Sequence, residues 1–181
     1  KPSDDFEEVL SFRFNNTFDL VAEEVRAVHQ NVGIMEVSGF NRFEITGRNV
    51  HGLLDRLSCS RITRRPGKVG LVYLLNPQGN IKAEATIANL DEETVWYVSA
   101  AAAEYHDMDW LKDHLPDDGS IRITSLTNEY TILVVAGPRS REVLAKAAPR
   151  TDWSQGAFPW LTVKPVFVGN AEAMAMSVSF S

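Results

Sequence analysis

Residues 69–90 read Val69-Gly70-Leu71-Val72-Tyr73-Leu74-Leu75, then Asn76-Pro77-Gln78-Gly79, then Asn80-Ile81-Lys82-Ala83-Glu84-Ala85-Thr86-Ile87-Ala88-Asn89-Leu90. Two apolar-rich runs flank four residues in which Pro and Gly stand where a tight turn wants them. The spacing predicts a β-hairpin with strands over 69–75 and 80–90. The polar break Asp91-Glu92-Glu93 and the run Thr94-Val95-Trp96-Tyr97-Val98 add a second hairpin. Strands therefore follow one another directly, without the helical crossovers a parallel sheet requires.

Working outward, Val50, Leu53, Leu54 and Leu57 predict a short helix over 49–58. Ile34 to Thr46 predicts strands interrupted at Gly39-Phe40 and ended by Gly47. Phe18, Val21, Ala22, Val25 and Val28 recur at helical spacing, which predicts an amphipathic helix over 17–31, capped by Asn15 or Asn16 and ended by Gly33. Downstream, an Ala-rich helix is expected over 101–115, closed by Pro116-Asp117-Asp118-Gly119. Strands follow at 121–126 and 130–136, then a helix from Gly137 to Ala148 with Pro138 in its first turn, then two strands around Gly169-Asn170. This order gives an α+β fold of antiparallel sheets with flanking helices.

The formal net charge of −6 argues against binding nucleic acid through bulk electrostatics. A lone Cys59 excludes an internal disulfide framework, and a reduced, cytosol-like compartment is the default. The apolar runs are too short for a membrane span. The polar start Lys1-Pro2-Ser3 and the stop at Ser181, straight after an apolar strand-like stretch, read as the ends of a fragment. Histidines 29, 51, 106 and 114 sit singly, so surface or helix-end roles are expected in place of metal ligation. The basic run Arg61, Arg64, Arg65 and Lys68 reads as a solvated loop, the alternative being a hold on a phosphate or polyanionic tail.

Glu84 is the ionisable group with most to offer. By period two it shares a face with Lys82 and Thr86, an ordinary solvent-facing position. Alternatively, the rigid strand raises its carboxylate into a cleft, where it can hold a protonated amine or accept a proton. The small residues Ser99 to Ala103, beside Tyr97, Glu104 and Tyr105, either leave room for a flat ligand at the backbone or simply start a helix.

Three segments, in order, resemble the folate-binding domain shared by the glycine-cleavage T-protein and the dimethylglycine and sarcosine dehydrogenases. They are Val25-Arg26-Ala27-Val28-His29 with Gly33 to Ser38, Leu75 to Gly79 with Ile81, Ala83 and Glu84, and Val135 to Arg141. The Ala83-Glu84 pair is most similar to the dimethylglycine dehydrogenase or oxidase branch, where the T-protein carries two Asp. The resemblance implies tetrahydrofolate as cofactor and one-carbon transfer from an aminomethyl or methylamine donor, with Glu84 as the catalytic and folate-contacting carboxylate. It also implies that Phe40 packs on the pterin side and that Leu71 replaces a Tyr, losing its hydroxyl. The backbone of Tyr97, Val98, Ser99, Ala100 and Ala101 would line the pterin pocket. Alternatives on the same fold are a folate-binding module without transfer activity and a tetrahydrofolate-dependent demethylase of another donor.

The resemblance further divides the chain into a ferredoxin-like subdomain, 47–136, and a discontinuous part, 1–46 plus 137–181. The chain stops before the Gly-Glu-x-Gly-Trp-Glu motif and the barrel domain that complete the family's pocket. No flavin-binding glycine motif is present, so FAD is expected only in a separate, covalently linked domain. Neither nucleic acid nor membrane is expected as a partner. The location implied is cytoplasmic in a bacterium and the mitochondrial matrix in a eukaryote.

Overall fold

The computed structural model describes residues 6–13 and 15–178. In chain order the elements are α1 (Phe18–Gln30), β1 (Gly33–Glu36), β2 (Phe40–Gly47), α2 (Val50–Leu57), β3 (Lys68–Leu75), β4 (Ile81–Asn89) and β5 (Thr94–Ala100). A 3₁₀ turn (Ala101–Ala103) leads to α3 (Glu104–Lys112), β6 (Ile121–Ser125), β7 (Leu133–Ala136), α4 (Ser140–Ala147), β8 (Thr162–Val168) and β9 (Ala171–Ser177). The expected α+β class with antiparallel sheets is what forms. Seven strands run in the order β6-β2-β5-β4-β3-β8-β9, while β1 and β7 make a separate pair, and every pairing is antiparallel. Residues 47 and 136, the limits implied by the resemblance, are the last residues of β2 and β7, and β2 pairs across the first of them with β5 and β6.

Alternation along the strands creates two unlike faces. On one, Phe43, Ile45, Val72, Leu74, Ala85, Ile87, Val95 and Tyr97 pack against Val50, Leu53, Leu54 and Leu57 of α2 and Leu111 of α3. On the other, Val69, Ala88 and Trp96 meet Val163, Met174 and Met176, so the β8–β9 ribbon covers only one end of that face. The ribbon joins β3 through a single ladder position, Lys68 opposite Thr162. Its far side carries a third cluster, Ala148, Trp153, Phe158 and Val166.

Several boundaries differ from the sequence reading. The cap of α1 is Thr17, whose backbone N–H donates to the Asn15 side chain; the Asn is used one step before the helix. The 101–115 helix is shorter: three alanines close into a 3₁₀ turn, and the α-helix ends at Lys112, ahead of Pro116. Pro138 lies in the turn leading into α4, which begins at Ser140. The apolar stripe of α1 stays half exposed at Phe18, Val21 and Val25.

Gly47 closes β2 with φ of +134°, and a Cβ there would stand 2.0 Å from the Ser120 carbonyl oxygen. Gly79 also has positive φ, +82°, but its Cβ would meet nothing within 4 Å. Gly79→Ala should therefore cost about 1 kcal/mol from backbone strain alone, and Gly47→Ala more than about 2 kcal/mol. Urea denaturation of the two variants checks the ranking.

Candidate functional site

Residues directly opposite in an antiparallel ladder project to the same face. The register links Phe40 with Ala100, Arg42 with Val98, Val98 with Thr86, Thr86 with Leu71, and Glu84 with Tyr73. All of them therefore share the face that the β8–β9 ribbon leaves partly uncovered. Leu71, Glu84 and Ala100 are exposed, and Tyr73, Thr86 and Val98 half-buried, which makes a shallow platform with one carboxylate on it. Phe40 sits at its edge in an apolar hollow of about 230 Å³ shared with Met35, Val37 and Val134. Arg42 is buried beneath this edge, donating to the carbonyls of Ser38 (3.3 Å), Phe40 (2.8 Å) and Thr127, and so ties the 38–40 turn to β2.

The expectation that Lys82 shares Glu84's face fails, and the reason is local. Leu75 pairs with Ile81 but Leu74 with Ala83, so Lys82 is an extra residue in a β-bulge. Its ammonium lies 5.0 Å from the ring centroid of Trp110 on α3, a cation–π contact on the helix-covered side.

Tyr97 and Ser99 fall on that helix-covered side too. Tyr97 is fully buried, stacked on Phe43 at 5.7 Å, and donates to Asp107 Oδ2 at 3.0 Å. The Ser99 hydroxyl meets the same Asp107 oxygen and Asn41 Oδ1, which also accepts the Ser99 backbone N–H. His106 Nδ1 lies 3.0 Å from the other Asp107 oxygen. Burial and the Asp107 charge push the Tyr97 phenol's pKa strongly up, so it stays a neutral donor. Tyr97 and Ser99 can offer the open face only backbone, while Val98 and Ala100 present side chains to it.

Other candidate residues have local partners. His51 is buried and bonded to Asn89 Oδ1 at 3.0 Å, a core role in place of the expected surface one. Arg64 pairs with Asp55 at 2.9 Å, and Asp55 also accepts the Ile62 N–H at 2.6 Å, so Arg64 of the basic run is held against α2, while Arg61 and Arg65 are exposed. Among the described residues no group of three His, Cys, Asp or Glu could hold a metal ion, and no helix is long and apolar enough to cross a membrane.

The fold and this platform can be set beside known proteins. The model of the family described as the GCVT N-terminal domain matches residues 2–181. The chain belongs to that family. Rat mitochondrial dimethylglycine dehydrogenase is 30% identical over 182 residues, covering 100% of this chain and 21% of the relative. The chain thus spans about a fifth of the length of the dimethylglycine dehydrogenases it matches. Among solved structures, the glycine cleavage system aminomethyltransferase T of Bartonella henselae superposes with a TM-score of 0.68 at 19% identity, over 79% of this chain and 38% of that one. The heterotetrameric sarcosine oxidase of Corynebacterium gives 0.65 at 16% identity, over 92% and 82%.

In this GCVT N-terminal domain the platform suits a flat ligand with N–H donors. Its floor is small or apolar (Leu71, Val98, Ala100), and its one exposed carboxylate can accept but not donate when ionised. The sequence reading passed over Tyr73, which brings a hydroxyl to the face where Leu71 has none, and Asp107, which fastens β5 to α3 from behind.

Asp107→Ala would strand the Tyr97 and Ser99 hydroxyls in the core, and a loss of about 2–4 kcal/mol is expected by chemical denaturation. At Asp55, desolvation raises the pKa but is outweighed by the Ile62 N–H and the Arg64 guanidinium, leaving it below its ordinary 3.8. The clip therefore holds above that value and opens as pH falls through the lowered pKa. The Ile62 amide resonance should titrate with a midpoint below 3.8, and the transition should vanish in Asp55→Asn.

Proposed function

We propose that this domain binds a reduced folate on its open sheet face and takes part in one-carbon transfer from an amine donor. The observation carrying this reading is the placement of Glu84 among Leu71, Thr86, Val98 and Ala100 on one uncovered face. A flat pteridine can lie against that floor, burying apolar area worth about 25 cal/mol per Å². Glu84 holds an N–H of the ligand, and its carboxylate can take up the proton that nitrogen loses. Bound tetrahydrofolate would supply the nucleophile that receives the carbon. Phe40, backed by Arg42, closes one edge of the face against water.

The names of the relatives support the donor class. Dimethylglycine dehydrogenase and aminomethyltransferase are enzymes, and a methylated or aminomethylated amine is the donor we assign. Oxidation by FAD, where it occurs, belongs to a covalently linked flavin domain of the longer protein. Mitochondrial relatives fit a matrix location for a eukaryotic parent, and a bacterial parent would be cytoplasmic. A folate-binding role without transfer is the second reading. It is favoured by Ala83, whose side chain packs on the helix-side core and adds no second acid.

Titration with folinic acid, a stable reduced folate, followed by tryptophan fluorescence, tests the reading. Saturable binding weakened about tenfold by Glu84→Ala is expected, since a hydrogen bond to a charged group is worth about 1.5–3 kcal/mol. Unchanged binding in Glu84→Ala would remove the role given to that carboxylate.

A further inference from the structure

Glu84 is exposed, and an unrestrained glutamate on a strand samples many rotamers, which weakens any acceptor role it has. Tyr73 stands directly opposite it on β3, on the same face. The strand under Tyr73 is held on both edges. β4 pairs with it on one side; on the other, the Cys59 N–H donates to the Tyr73 carbonyl at 3.0 Å and Ser58 bridges Leu74. The phenol is stiff, with two side-chain torsions, and its base is pinned.

We infer that Tyr73 is a positioning residue: its hydroxyl holds one oxygen of the Glu84 carboxylate, leaving the other aimed at an N–H donor of a ligand on the open face. The electrostatics agree. Hydrogen bonding to Glu84 first, then the Glu84 charge, pushes the Tyr73 pKa up, so the phenol remains a donor across the physiological range. Tyr73 contacts Glu84 and acts through it, and the ligand it selects for is one presenting a hydrogen, not a lone pair. The inference rests on the folate reading above, and its test separates the two.

The full chain and the variants Tyr73→Phe, Glu84→Gln and the double variant carry the experiment. Without ligand, the Tyr73 ring resonance, assigned by its loss in Tyr73→Phe, should titrate at higher pH in wild type than in Glu84→Gln. Equal midpoints would overturn the pairing whatever folate does. With folinic acid, Tyr73→Phe should weaken binding about fivefold when Glu84 is present and by less than about twofold in the Glu84→Gln background. Equal losses in both backgrounds would make Tyr73 an independent contact or a fold defect and overturn the positioning role. If the tyrosine midpoints differ but wild type shows no binding, the folate reading fails and the positioning role falls with it.

Discussion

One extra residue in β4 decides which way the catalytic candidate points. Beyond the turn, Leu75 pairs with Ile81, and a regular ladder would continue with Leu74 opposite Lys82, Tyr73 opposite Ala83 and Val72 opposite Glu84. That register would send the carboxylate of Glu84 beneath α2 and α3 beside Val72, where an unpaired charge costs several kcal/mol. The bulge at Lys82 shifts the count, so Ala83 meets the core and Glu84 the open face. Lys82 is accommodated over Trp110, which turns a misfit cation into a contact. The turn before it is fastened by Asn76, whose side-chain oxygen accepts the Gln78 and Asn80 N–H groups at 3.1 and 2.8 Å. Turn and bulge together set the face on which every proposed contact lies.

Much of this was legible in the sequence. The hairpins at 69–90 and 80–98, the short helix around Leu53 and the two last strands formed where apolar runs and their Gly, Pro or acidic breaks put them. Glu84 as the residue to watch follows from its position on that hairpin. Its neighbours were less legible, because a bulge leaves no mark in the periodicity of one strand. The four-residue turn read from the sequence would pair Leu75 with Asn80 and Tyr73 with Lys82, and the observed closure of Leu75 on Ile81 would, without the bulge, pair Tyr73 with Ala83, so the Tyr73–Glu84 rung is invisible until the ladder is seen. Asp107 was hidden for another reason. A helix rich in acids, Glu104-Tyr105-His106-Asp107-Met108-Asp109, gives no hint which carboxylate turns inward.

The two faces of the sheet divide their labour by burial. Behind it, Asn41, Ser99, Tyr97 and Asp107 satisfy one another inside the core, locking β2, β5 and α3 together with directional bonds. In front, fewer groups are tied down: Arg42 holds the 38–40 turn, and Trp96 donates to Glu44 at 3.1 Å beside the platform. A rigid back holds the register of the strands whose other side forms the open face, so the relative positions of Leu71, Glu84 and Val98 are fixed from behind.

The seam at Lys68 and Thr162 has a consequence for motion. Six strand pairings of the described fold involve at least four rungs each, whereas the β8–β9 ribbon is joined to the rest of its sheet by one rung and a small apolar cluster. Cooperative units of a protein part where the fewest bonds cross, so amides on the two sides of this seam are expected to exchange as separate units. The ribbon also carries Ala148, Trp153 and Phe158 on its far side, so the unit bounded by this seam is the ribbon together with that cluster, and the wall it sets beside the open face is built independently of the sheet that forms the floor.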